Sequence, residues 1–191
     1  MTSLVKNYVH RKFDVPAERS LAVLNEWNDV HKEAFYSIDT SRERMSPALS
    51  KTRTYHLRRP SVPKGFIKQT TSAQNVLDCE DTPLYDTFPV MRAFVNWVGQ
   101  EFYGGWTTVG RVFVTRLDAS SNIGKHIDEG KYFETLHRHH FVLISQLAHF
   151  CWEDDVQVQL QRGELWAVNN SIPHWVTNSG APRTHIIFDA A

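Results

Sequence analysis

Seven short runs of β-branched and aromatic residues crowd the second half of the chain, and they leave few folds open. They are Val109–Leu117, Phe141–Leu147, Phe150–Trp152, Val156–Leu160, Glu164–Val168, Trp175–Asn178 and Thr184–Phe188, divided by turn signals. Such side chains suit a pleated, half-buried surface. Strands so short and so closely spaced close on one another as a sandwich, a jelly roll or a barrel. Upstream the period is helical. Asp14-Val15-Pro16 reads as a helix start, with Asp as cap and Pro in the first turn. That helix is expected from about Ala17 to Phe35, with Leu21, Leu24, Trp27 and His31 as a packing stripe beside Val23 and Val30. A second is expected from Asp86 to Phe102, where Phe88, Met91, Phe94, Val95 and Val98 form an apolar stripe and Gly104-Gly105 ends it. Residues 4–13 read as an edge strand and Thr54–Leu57 as another short strand. The expected plan is one domain over 1–191. A helical and irregular part, 1–105, packs on a β core, 106–191.

A chain of 191 residues is long enough for one real core and short for two. Lys+Arg and Asp+Glu balance at 21 each, so no overall field favours nucleic acid or an anionic membrane. No apolar run approaches a signal peptide or the roughly 18 residues of a membrane span. Cys79 and Cys151 show no metal-type spacing, and a reducing cytoplasm is the expected setting. Locally, eight basic residues between Arg42 and Lys68 stand against Glu43 alone, followed by Asp78, Glu80, Asp81 and Asp86. This stretch reads as a solvated loop neutralised by those acids, or as a surface for an anionic partner.

Histidine is concentrated where the strands are: seven of the ten lie from His126 to His185. Residues two apart on a strand share a face, so His126 and Asp128 are expected to project together. His174, 46 residues further on, offers a third ligand from another strand. Two imidazoles and one carboxylate on one face of an octahedron leave three positions open, the arrangement of non-haem Fe(II) oxygenases. Arg183 follows His174 by nine residues on the next expected strand, and a guanidinium suits a carboxylate co-ligand.

These residues carry a resemblance. Gly124-Lys125-His126-Ile127-Asp128-Glu129-Gly130, then Arg138-His139-His140-Phe141-Val142-Leu143-Ile144, then Gly163-Glu164-Leu165-Trp166, then Asn169 through Asn178 and Arg183 through Asp189 resemble the aspartyl/asparaginyl β-hydroxylase family. The resemblance spans roughly Arg111 to Asp189. It implies a mainly β fold with flanking N-terminal helices, the double-stranded β-helix or jelly-roll, cupin-like barrel. It also implies an oxidoreductase, a dioxygenase that uses Fe(II), 2-oxoglutarate and O₂ as a hydroxylase of an unactivated carbon. His126, Asp128 and His174 would then be the catalytic, metal-binding residues. Arg183 would hold the distal carboxylate of 2-oxoglutarate, assisted by the Thr115 hydroxyl. His140 would meet the end nearer the metal, and Arg138 the co-substrate or a substrate carboxylate. The helical repeats and membrane anchor of eukaryotic members find no counterpart, so small bacterial and phage-type relatives are the better comparison. The implied substrate is an amino acid, or an Asp/Asn-type residue of a peptide or protein.

Other readings remain beside this one. His137-Arg138-His139 imitates a cupin H-x-H motif, but Leu143 and Ile144 stand where that motif wants a Glu. A metal-binding barrel acting as a sensor or binding module would keep the three ligands without needing Thr115, His140 and Arg183 around one pocket. Action on nucleic acid rests on the Arg42–Lys68 stretch alone. Tyr132 and Phe133 are expected in a loop at the barrel mouth, where they would touch substrate. Asn169 and Asn170 are expected to make the turn before His174, and His185 shares a strand face with Arg183.

Overall fold

The computed structural model describes residues 9–37, 47–61, 78–153 and 155–191, and its layers follow from the two-residue alternation of its strands. In chain order the strands are β1 (Val9–Phe13), β2 (Thr52–Pro60), β3 (Cys79–Asp81), β4 (Val109–Leu117), β5 (Ile123–His126), β6 (His137–Ile144), β7 (Ala148–Trp152), β8 (Gln157–Val158), β9 (Leu165–Val168), β10 (His174–Asn178) and β11 (Arg183–Ala190). The helices are α1 (Ala17–Val30), α2 (Pro89–Tyr103) and the short α3 (Lys131–Thr135). One sheet runs β1-β9-β6-β11-β4-β2-β3 and the other β5-β10-β7-β8. Every strand pairing is antiparallel. This is the double-stranded β-helix, a jelly roll.

Each inner strand of the large sheet sorts its side chains between two cores. Phe141, Leu143, Leu165, Ile186 and Phe188 pack outward with Trp27, Phe88, Met91, Phe94 and Val98 of the helical layer. Val142, Trp166 and Val168, one residue out of phase, pack inward with Phe150, Trp152 and Val176 of the small sheet. All of β11 is buried, on both faces. The helices therefore cover the outer face of the large sheet, and the barrel interior is free to hold polar groups.

The first hundred residues contribute more than helices. Strands β1, β2 and β3 all join the large sheet, and β2 lies directly against β4. The short run Thr54–Leu57 is the middle of β2, which is nine residues long. Its inward positions are the polar Thr52 and Thr54, so its apolar alternation is invisible in the sequence. The helix starts also differ in detail. Pro16, not Asp14, is the cap of α1, and its carbonyl takes the first helical N–H bonds while no side chain caps the end. Leu21 is 56% exposed. The buried face of α1 is turned instead through Val23, Leu24, Glu26 and Trp27. The helix ends at Val30, and a 3₁₀ turn covers Glu33–Ser37. Strand β6 stops at Ile144; Leu147, beyond it, is exposed in a left-handed turn with φ 53°.

Glu26 explains its own burial. Its two carboxylate oxygens accept the Val90 and Met91 N–H groups at 2.7 Å each, which cap the first turn of α2. The other end of α2 closes on Gly104, at φ 73°, as its sequence suggests. His139 belongs to the helical-side core, stacked on Phe188 at 4.8 Å with Nε2 2.8 Å from the Tyr103 hydroxyl. Burial lowers its pKa to about 4. Of the basic stretch, Arg42, Arg44, Lys64 and Lys68 lie outside the described residues. Arg58 pairs with Asp81 at 2.7 Å, Arg53 with Asp118 at 3.6 Å and Arg59 with Glu80 at 4.0 Å. Among the described residues no helix is long and apolar enough to cross a membrane.

Two outcomes are expected. Glu26→Ala should lower unfolding stability by about 1–2 kcal/mol, the usual cost of a lost helix cap, while Leu21→Ser should change it by less than about 0.5 kcal/mol; denaturant midpoints decide both. The folded pKa of His139 lies below its unfolded value, so between them the unfolded chain binds more protons. Stability is therefore full above about pH 6.5 and falls as pH is lowered toward about 4. His139→Phe should shrink that fall, read as melting temperature against pH.

Candidate active site

Strand register brings the two distant histidines together. In the β10–β5 pairing His174 stands opposite His126, and their ring centroids are 4.4 Å apart. The Nδ1 of His126 lies 2.8 Å from the Gly124 carbonyl, and the Nδ1 of His174 lies 2.9 Å from the Ile172 carbonyl. A carbonyl only accepts, so in each ring the proton sits on Nδ1 and Nε2 keeps a bare lone pair. Burial lowers the pKa of His174, which keeps that ring neutral. Two imidazoles are thus set with the atom a metal needs presented and the other nitrogen tied to backbone.

Asp128 is held differently from the sequence expectation. Strand β5 ends at His126, so Asp128 lies in the loop that follows. Asn170 grips it twice, its carbonyl accepting the Asp128 N–H at 3.0 Å and its Nδ2 donating to Asp128 Oδ2 at 2.9 Å. Arg138 Nη1 also donates to Oδ2. The other oxygen, Oδ1, is 3.9 Å from His126 Nε2. Two cis ligands about 2.1 Å from one ion stand about 3 Å apart, so closure needs a shift of about 1 Å. Among the described residues no three His, Cys, Asp or Glu side chains stand in closed ligating geometry. The donor set itself, two imidazole nitrogens and one carboxylate oxygen, fits a divalent non-haem metal with open positions.

The rest of the cavity is cationic at one end. Arg183 opens β11, is buried, and has no carboxylate partner among the described residues. Its Nε donates to His185 Nε2 at 2.9 Å and its guanidinium lies 4.6 Å from the Phe150 ring centre. Burial lowers its pKa to about 9, still above neutrality, so it stays a cation, with no carboxylate beside it among the described residues. The Thr115 hydroxyl lies 3.1 Å from that of Thr54. His140 and His185 meet through their Nδ1 atoms at 3.3 Å, and burial pushes both far below the ordinary histidine pKa. Arg138 is the opposite of Arg183. Burial alone would lower its pKa, but Asp128 and Asp189 outweigh it and hold the guanidinium above its usual range.

His126, Asp128, His174, Arg183, Thr115, His140 and Arg138 all line one cavity between the sheets. Thr52, Phe150 and Asn170 line it too. Asn170 is expected as a turn former, but Asn169 plays that part, accepting the Ser171 N–H. Only its place four residues before His174 hints that Asn170 reaches the site. Tyr132 is not at a mouth: it is fully buried in α3, its hydroxyl 3.1 Å from Asp189. Phe133 lies under the Arg138 guanidinium at 4.8 Å. The H-x-H reading fails on orientation, because His137 is exposed and His139 faces the helical core.

Comparison with known proteins follows the same lines. A 2OG-Fe(II) oxygenase-family oxidoreductase from Burkholderia pseudomallei superposes with a TM-score of 0.52 at 12% identity, over 94% of this chain and 93% of its own. A prolyl-4-hydroxylase from Pseudomonas putida gives 0.49 at 12% identity, over 92% and 87%. A cupin domain from Bordetella pertussis Tohama I gives 0.35 at 14% identity, over 42% and 80%. No curated protein matches the sequence. The aspartyl/asparaginyl β-hydroxylase family matches residues 78–191, more than half of the chain. That span carries every residue of the cavity named above except Thr52, and the chain belongs to the aspartyl/asparaginyl β-hydroxylase family.

Proposed function

We propose that this protein is an Fe(II)- and 2-oxoglutarate-dependent dioxygenase that hydroxylates an unactivated carbon of an amino acid, or of an Asp/Asn-type residue in a peptide or protein. The observation that carries the reading is Arg183. A buried guanidinium with no carboxylate among the described residues shares one cavity with two imidazoles that present Nε2 and with Asp128. Leaving such a charge unpaired is costly unless a ligand supplies the anion. A sensor barrel that only bound metal would have no use for it.

In this reading His126 Nε2, His174 Nε2 and Asp128 Oδ1 hold the iron, and Arg183 with Thr115 takes the distal carboxylate of 2-oxoglutarate. His140, kept neutral by burial and by the neighbouring arginines, meets the other end of the dicarboxylate without adding charge beside the metal. When bound, iron and 2-oxoglutarate supply the coupling of oxidative decarboxylation to oxygen insertion, with O₂ consumed and succinate and CO₂ released. The chain supplies orientation and dryness. Phe150, Val168, Val176 and Ile187 line the cavity and exclude water from the anion's stem. Asn170 and Arg138 occupy Asp128 Oδ2, so the carboxylate offers the metal one oxygen and leaves coordination positions open.

Calorimetry with Mn(II) in place of Fe(II) should show 2-oxoglutarate binding to the wild-type protein. Arg183→Met should weaken it by roughly 10- to 150-fold, the loss of about 1.5–3 kcal/mol of charge-assisted hydrogen bonding. His126→Ala should abolish the metal-dependent part of that binding. With Fe(II) and O₂ the wild type should form succinate, slowly without substrate. Free amino acids and short peptides should then be screened for a mass gain of one oxygen. Metal binding with neither 2-oxoglutarate binding nor succinate would sink the oxygenase reading.

A further inference from the structure

Asp189 is fully buried near the end of β11 and does not line the cavity, yet it is joined to it. In the β11–β6 pairing it stands directly opposite Arg138. Its Oδ1 accepts Arg138 Nε at 2.8 Å, and its Oδ2 accepts Arg138 Nη2 at 2.9 Å and the Tyr132 hydroxyl at 3.1 Å. The Tyr132 hydroxyl is itself fixed, since it accepts the Arg111 N–H at 2.8 Å. It sits so close to Gly110 that a Cβ there would strike it. Asp189 thus fills one edge of a planar fork from both sides, and a fork held along one edge has no freedom to turn. The remaining nitrogen, Nη1, meets Asp128 Oδ2, which also accepts Asn170 Nδ2 at 2.9 Å. With Oδ2 taken twice, Oδ1 is the oxygen left on the His126 side.

We infer that Asp189 is a positioning residue for the metal centre: through Arg138 it turns Asp128 so that Oδ1 stands toward His126. The inference rests on the proposed function, in that it takes Asp128 for a ligand. Asp189 touches neither metal nor co-substrate in this scheme and acts through the orientation of one guanidinium. A carboxylate that merely balanced the charge of Arg138 would affect folding stability. It would leave the metal affinity of the folded protein unchanged.

Co(II) separates these roles, because its visible absorption reports ligand geometry and its affinity is measured without turnover. Wild-type protein, Asp189→Asn and Arg138→Lys are titrated with Co(II) by calorimetry and absorption, with circular dichroism to establish folding. Asp189→Asn should bind Co(II) 10- to 100-fold more weakly, the usual cost of losing an outer-shell partner, with an altered band. Arg138→Lys should do the same, since one ammonium cannot span both carboxylates. A folded Asp189→Asn protein with wild-type affinity and spectrum overturns the inference. If that variant does not fold, Arg138→Lys is read by the same criterion. Wild-type protein that binds no Co(II) overturns the proposed function, and this inference with it.

Discussion

Two guanidinium groups are buried in one cavity, and among the described residues one of them, Arg138, meets carboxylates while the other, Arg183, meets none. Arg138 meets Asp189 along one edge and Asp128 at its third nitrogen. Among the described residues Arg183 meets imidazole and an aromatic face. Burying a cation without an anion costs several kcal/mol after relaxation, so the asymmetry is a statement about what the cavity is built to receive. Were Arg183 matched as Arg138 is, the cavity would be balanced, and the proposed function would lose the charge that calls for a dicarboxylate. Were Arg138 bare as Arg183 is, Asp128 would lose the guanidinium that meets its Oδ2.

A polar interior of this kind needs an apolar core elsewhere. The large sheet provides it by facing two ways. Its outward residues, Phe141, Leu143, Ile186 and Phe188 among them, bury against α1 and α2. Its inward residues on the same strands include Arg138, His140, Arg183, His185 and Asp189. At about 25 cal/mol per Å² of apolar surface, the helical face can carry stability that the barrel interior gives up to polar groups. The Glu26 cap works in the same direction, because it locks α1 to the start of α2 and so fixes the layer that covers the sheet. The inner face keeps its own apolar cluster around Phe150, Trp152 and Trp166, and the helical packing on the outer face leaves it room for polar side chains as well.

What could be read from the sequence was what local chemistry writes locally. Runs such as Val109–Leu117 declare a strand whatever they pair with, and Gly104 declares a helix end. His126, Asp128, His174 and Arg183 were legible because their types and order narrow the chemistry. What was hidden is what only pairing creates. Strand β2 looks polar because its inward threonines face a polar cavity, so no alternation betrays it. Leu21 was misplaced because its spacing fits the stripe, while Glu26, a charged residue, holds the inward position that the cap requires. Asn170 reads as a turn residue until its two bonds to Asp128 are seen. The resemblance offers Arg138 a co-substrate or substrate carboxylate, and that Asp189 stands across from it emerges only in the β11–β6 register.

The three side chains proposed as metal ligands are held by two different means. His126 and His174 are fixed by strand pairing, each with its Nδ1 returned to a carbonyl two residues back. Asp128 has no strand to fix it, since β5 stops two residues earlier. Its place comes from one backbone bond, in which the Asn170 backbone carbonyl accepts the Asp128 N–H, and from two side chains at the carboxylate, Asn170 and Arg138. A ligand held by strands keeps its place as long as the sheet exists. A ligand held by an amide and a guanidinium keeps its place only as long as those groups are themselves held, which for Arg138 means Asp189 and Tyr132. The carboxylate is therefore the adjustable member of the three.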